Sequence, residues 1–167
     1  MWLPCSVRRD QRHSRGARCA EGLEVPISYE IDTVAQLVIS RITGVLTHED
    51  ILGYQHSVWS RPEVVGFDEL IDVSAVERIA FESARRVGEL AAAAAQTDAT
   101  AHPGRLAIVA PTAESYGLAR MYQTFRETTP GNTRTVMVFR DLSEAWAWLG
   151  KKPSAPGTSV DASQSKH

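Results

Sequence analysis

One stretch constrains the fold of this 167-residue chain more than any other: Arg105 to Phe125. Leu106 to Ala110 is a continuous apolar run containing Ile108 and Val109. That length suits a strand buried on both faces and is too short for a helix. Pro111 ends the run, because proline cannot donate to a sheet ladder. Thr112 then stands where a helix N-cap belongs, with Glu114 in the first turn against the positive end of the helix dipole. Leu118, Met121, Tyr122 and Phe125 follow at i, i+3, i+4 and i+7, which is one helix face. A buried strand thus runs directly into an amphipathic helix, half of a βαβ unit around which the other segments can be placed.

Ile27 to Asp32 alternates, with Ile27, Tyr29 and Ile31 on one face, as in a half-exposed edge strand. Thr33 to Gln36 is short enough for a hairpin, and Leu37 to Thr43 is the partner strand, rich in β-branched residues. Gly44 is expected to end or bend it. Thr47 caps the first helix, with Glu49 and Asp50 in its first turn and Ile51, Leu52, Val58 and Trp59 as its buried stripe. Arg61-Pro62 closes it. Phe67 to Val73 reads as the third strand and Ser74 to Phe81 as an irregular connection. A helix from about Glu82 to Ala95 turns Val87, Leu90, Ala91 and Ala94 inward, and Thr97 to Gly104 is a loop. After the central strand and helix, Thr128 to Asn132 contains the turn signal Pro130-Gly131. Thr135 to Phe139 is the fifth strand. Asp141 to Glu144 reads as a capping box opening a helix that runs through Leu149, and Gly150 stops it. The order is ββαβαβαβα: an α/β domain with a mainly parallel sheet, right-handed crossovers and an antiparallel edge strand.

Between Pro26 and Gly150 there are ten Arg, no Lys and sixteen Asp plus Glu, a net charge of −6. An acidic body argues against a nucleic-acid partner. No apolar run reaches membrane-spanning length. Cys5 and Cys19 both precede this body, which leaves the core without a disulfide framework, a thiolate metal site or a cysteine nucleophile. A cytoplasmic location in a bacterium with a GC-rich genome is the simplest reading, the latter a codon argument from the Arg-for-Lys usage. Residues 1–25 carry five Arg among Ser, Gly and Pro without an apolar h-region, as expected of a disordered extension, a transit segment or a start assigned too far upstream. Residues 151–167 read as a disordered tail.

The body resembles the SpoIIAA-like family of the STAS and CRAL-TRIO group from Ile27 to Leu149. The matching stretches are Gly44-Val45-Leu46-Thr47-His48-Glu49-Asp50, Leu70-Ile71-Asp72-Val73-Ser74, and Tyr116-Gly117-Leu118-Ala119-Arg120-Met121-Tyr122. Val138-Phe139-Arg140-Asp141 and Glu144-Ala145-Trp146-Ala147-Trp148-Leu149 complete them. The resemblance implies a mixed sheet of about five strands with helices mainly on one face. It also implies one of two functions: a regulatory binding module of the STAS type with a protein partner, or a CRAL-TRIO-type binder of lipids or other small hydrophobic molecules. In the former group, serine phosphorylation acts at an Asp-Ser-Ser-Gly motif opening the helix after the third strand. The comparable stretch here is Phe81-Glu82-Ser83-Ala84-Arg85. It keeps Ser83 but lacks the aspartate and the glycine, which speaks against that modification.

No nucleophile elbow, His-Glu-x-x-His or glycine-rich dinucleotide motif occurs, so neither enzyme activity nor a cofactor is expected. His48 and His56, eight residues apart, project roughly 80° apart on a helix and read as solvated or capping residues, not metal ligands. Ligands of open α/β sheets bind outside the carboxyl ends of the strands. Asp72, Ser74, Thr112, Tyr116, Arg120 and Arg140 therefore form the candidate ligand-binding wall, although cap and turn roles explain Asp72, Thr112 and the neighbouring Asp141 equally well. The helix N-terminus at Thr112 would suit an anionic head group, with Arg120 as its clamp. The fourth and fifth strands are apolar at both parities, so a bare second face would drive homodimer formation unless a helix crosses it. Both termini lack periodic apolar residues, and a chain from Pro26 to Gly150 is expected to melt cooperatively near the full-length temperature. Scanning calorimetry of the two forms checks this, and a drop of many degrees would show that a terminal segment packs on the body.

Overall fold

The computed structural model describes residues 26–81, 83–98 and 103–153, so the expected N-terminal extension, Glu82 and the tail from residue 154 lie outside the described residues. The elements are β1 (Ile27–Asp32), β2 (Leu37–Leu46), α1 (His48–Trp59), β3 (Asp68–Ile79), α2 (Ala84–Ala95), β4 (Arg105–Val109), α3 (Ala113–Thr128), β5 (Thr135–Phe139) and α4 (Leu142–Leu149). A single 3₁₀ turn at Pro62–Val64 follows α1. The caps read from the sequence are in place. Thr47 and Asp50 form a reciprocal capping box, Thr112 accepts from the Ser115 amide, and Asp141 accepts from the Ser143 amide, so that Asp141 is the cap of α4 through Ser143 and not through the capping box read with Glu144. Gly150 ends α4 at φ +65°, a left-handed conformation that costs glycine nothing.

The five strands lie in the order β1-β2-β3-β4-β5, with β1 antiparallel to β2 and every other pair parallel. This order dictates where the helices go. Each parallel strand is added on the same side of its predecessor, and each crossover is right-handed, so the three crossover helices must share one face. They do: Tyr54, Val58 and Trp59 of α1, Val87 and Leu90 of α2, and Leu118, Met121, Tyr122 and Phe125 of α3 pack in one core with Val38 and Ile42 of β2. α4 follows the last strand and has no crossover to make. It lies on the opposite face, where Ala145 and Leu149 pack on Leu37, Leu70, Ala107 and Val109, with Trp146 and Trp148 alongside. The sheet is therefore mixed and five-stranded, with helices mainly on one face, as the family resemblance implied. α4 is also the helix that removes the bare apolar face from which a homodimer was expected.

Two strands are longer than the sequence reading. β2 does not end at Thr43 but runs through Gly44 to Leu46, with register shifts between Arg41 and Thr43 and between Gly44 and Val45. β3 runs to Ile79, so Ser74 to Ile79 is strand and not an irregular connection. Its first half pairs with β4 only as far as Asp72↔Val109, after which β3 continues along β2 alone. With one partner strand and a largely exposed surface, this half has no continuous apolar signature. α2 starts at Ala84, because Ser83 is its N-cap and accepts from the Arg86 amide. Gly104 is needed at the entry to β4: a Cβ there would lie 2.0 Å from the carbonyl oxygen of Phe67.

The C-terminal end of α4 is tied to the start of β3. Asp68 accepts from the Arg105 amide at 2.7 Å, from Arg105 Nη2 at 2.9 Å and from Lys151 Nζ at 2.9 Å. Arg105 also caps α4 by donating to the carbonyls of Trp148 and Leu149, and Lys151 donates to the carbonyl of Gln36. Lys151, assigned to the tail on composition, is thus joined to the body. Burial opposes the charge of Asp68, but the bonds from Arg105 and Lys151 outweigh it and hold its pKa below the ordinary value. A depressed carboxylate stabilises the fold above its unfolded pKa of about 3.9, and this stabilisation is lost as pH falls through the folded value. Arg105 is 40% exposed and partly screened. Asp68→Asn is therefore expected to cost about 1–2 kcal/mol at pH 7, with the difference from wild type narrowing below about pH 4. Urea denaturation at pH 7 and pH 3 measures both, and an equal gap at the two values would show that the carboxylate charge is not responsible.

Candidate functional site

A polar cluster lies inside the core that joins the sheet to α1 and α3. Glu69, on the helix-covered face of β3, is only 3% exposed. Its Oε1 accepts from Tyr54 Oη at 2.6 Å and from Trp59 Nε1 at 3.2 Å, and its Oε2 accepts from Arg134 Nη1 at 2.7 Å. Arg134 also donates to the carbonyl of Phe67, and its guanidinium stands 3.9 Å above the Trp59 ring. Ser40 Oγ is 2.6 Å from Tyr54 Oη. The single phenolic hydrogen goes to Glu69, so Ser40 is the donor in that pair. Burial, with the Glu69 carboxylate beside it, pushes the Tyr54 pKa well above its ordinary value and keeps the hydroxyl a donor. Beside this cluster Arg126, 1% exposed, binds Asp98 at 2.5 Å, Asn132 at 2.8 Å and Tyr122 Oη at 3.3 Å. Burial works against its charge, but Tyr122 and Asp98 outweigh that and raise its pKa.

These groups form part of the wall of a cavity of about 120 Å³ between the sheet and α1, α2 and α3. The apolar wall includes Ile42, Ile71, Val87, Leu90, Leu118 and Ala119, and the polar groups include Ser40, Tyr54, Gln55, Glu69, Arg126 and Arg134. The ions are matched inside the wall, Glu69 by Arg134 and Asp98 by Arg126. Gln55 is the exception to this satisfaction. Its Nε2 donates to the carbonyl of Leu90 at 3.4 Å, while its Oε1 is buried with no hydrogen-bond partner among the described residues.

The sequence-derived candidates sit elsewhere, and on both faces of the sheet. Tyr116 and Arg140 are brought together, the guanidinium 4.2 Å from the ring centroid and donating to the Pro111 carbonyl at 3.2 Å. Thr112 is occupied as the α3 cap and also bonds Ser115 Oγ at 2.7 Å. Arg120 does not join them: it donates to Gln123 Oε1 at 2.7 Å, and Gln123 donates to Glu127. Asp72 accepts from the amide and hydroxyl of Ser74 within β3 and borders a second pocket, of about 440 Å³, beside α4 with Arg41, Asp141 and Trp146. The strand order never reverses, so the sheet has no switch point at which neighbouring helices part to open a crevice. Ser83 is an exposed helix cap. His56 is exposed, but His48 is buried rather than solvated, with its ring edge-on to Phe81 and Nε2 3.4 Å from Glu89. Among the described residues no group of three or more His, Cys, Asp or Glu is arranged to hold a metal ion, and no helix is long and apolar enough to cross a membrane.

The cavity-facing residues were not selected from the sequence, although a signal existed. Ile51, Tyr54 and Gln55 fall at i, i+3 and i+4, and Ser115, Leu118, Ala119, Tyr122 and Arg126 at i, i+3, i+4, i+7 and i+11. Glu69, Ile71 and Val73 share one strand face by their period of two.

No protein-family model matches the chain, and no curated protein does. Among solved structures the chain is similar to an uncharacterized protein of the DUF3478 family from Shewanella loihica PV-4, whose crystal structure at 2.25 Å has a SpoIIAA-like fold. The two are 21% identical over 74% of this chain and 93% of the other, with a TM-score of 0.49. By its own strand order, antiparallel edge and helix placement, this chain is a mixed α/β domain with a five-stranded sheet and one antiparallel strand pair.

Proposed function

We propose that this domain is a binding module, not an enzyme, and that it holds a small, mostly apolar molecule between the sheet and α1 to α3. The cavity of about 120 Å³ carries this reading. Well-packed interiors leave few voids larger than a water molecule, and an apolar cavity of about 150 Å³ takes up benzene. A single ring or a short chain fits this scale. The ionic groups of the wall already neutralise one another, which favours an uncharged ligand over an anion. The same pairing supports binding over catalysis, because Glu69 and Asp98 are each engaged by an arginine and further donors, leaving no poised base beside a nucleophile.

The test is ligand-dependent melting with a panel of single-ring and short-chain apolar molecules. A ligand at a hundred times its Kd stabilises the native state by about 2.7 kcal/mol, a rise in Tm on the order of 10 °C for a domain of this size. Ala119→Leu places three more heavy atoms in the cavity wall and is expected to abolish that rise while leaving a cooperative transition. A wild type whose Tm responds to no member of the panel, or an Ala119→Leu variant that responds equally, refutes the assignment.

A further inference from the structure

Gln55 sets the chemistry of the molecule this cavity accepts. The Leu90 carbonyl only accepts, so Nε2, not Oε1, is the atom that faces it, at 3.4 Å. The opposite atom, Oε1, is then a buried acceptor with no partner among the described residues, on a cavity-lining residue that is 8% exposed. A buried carbonyl oxygen without a donor has lost its hydration and gained nothing in return, so a group that supplies a hydrogen there binds more tightly than one of equal shape that does not. The other polar groups of the wall differ from it. Glu69 has three donors, Tyr54 directs its hydrogen to Glu69, and Arg126 is matched by Asp98, Asn132 and Tyr122.

Resting on the binding function above, we propose that the cavity selects a neutral apolar molecule bearing one hydrogen-bond donor, of the phenol or small alcohol class, and that Gln55 Oε1 receives that donor. Gln55 is then the specificity-determining residue. It would discriminate a hydroxyl from a methyl on the same ring, as buried polar groups do when a ligand fails to pair with them.

Phenol and toluene have the same heavy-atom count and differ in the donor, so their Kd values for the full chain form the test. Gln55→Leu is expected to weaken phenol relative to toluene at least tenfold while toluene binding is unchanged or tighter. In the wild type, phenol and not toluene is expected to shift the Gln55 side-chain amide resonances, a readout that needs no variant to fold. If both probes bind and their affinity ratio is the same in Gln55→Leu, or both leave the Gln55 amide unmoved, the donor assignment is overturned and the cavity reading stands. If neither probe nor any member of the wider panel binds the wild type, the cavity reading falls and this inference falls with it.

Discussion

The Glu69 carboxylate is the interaction on which the arrangement of the core depends. It stands on the central strand and is bonded from α1 by Tyr54 and Trp59 and from the entry to β5 by Arg134, while Ser40 of β2 reaches it through Tyr54. A buried charge is expensive unless it is paired and hydrogen-bonded. Removing one partner from such a set costs more than the pair contributes, since the other charge is left buried and alone. Four segments distant in sequence are therefore fixed relative to one another by one group. The Trp59 indole donates to Glu69 and lies under the guanidinium of Arg134, and so joins the hydrogen-bonded and cation–π parts of the cluster.

Strand order explains why this cluster borders a cavity and not an open crevice. Sequential parallel strands with right-handed crossovers place α1, α2 and α3 side by side on one face. No reversal separates neighbouring helices at the strand ends, where doubly wound proteins bind their ligands. The cavity bordered by the cluster lies between the helix layer and the sheet. The side chains bordering that space include long polar ones and aliphatic ones. Arginine and glutamate held by each other fill volume less completely than interdigitated leucines, and the void persists next to them.

A ligand held in the core as proposed would join binding to stability. Atoms lining a void have no dispersion partner on that side, and a ligand seated there supplies one, so occupancy and folding are linked through the same atoms. The ends of the cluster also reach the surface elements: Asp98 accepts from the amides of Thr133 and Arg134 at the start of β5, and Arg126 fixes Asn132 in the same turn. The cavity wall is thus continuous with the α3–β5 connection.

The element order, the caps at Thr47, Thr112 and Asp141, and the stop at Gly150 were legible in the sequence. Each rests on residues within about one turn of one another, and local sterics and hydrogen bonding decide them. The inward faces of α2 and α3 were legible for the same reason, from helical period alone. The length of β3 was not, because Ser74 to Ile79 is held by backbone pairing with β2 and carries no apolar run. The cluster was not legible either. Tyr54, Gln55, Glu69, Arg126 and Arg134 are residue types usually found at the surface, or, in the case of Tyr54, divided between surface and interior. Whether each turns inward depends on a partner supplied from elsewhere: Glu69 and Arg134 are 65 positions apart, and Gln55 and Leu90 are 35. The sequence by itself determined the strands, the helices and their order, because neighbouring residues carry that information. Only the tertiary structure decided which polar side chains are buried and which buried polar atoms, Gln55 Oε1 among them, are left unpaired.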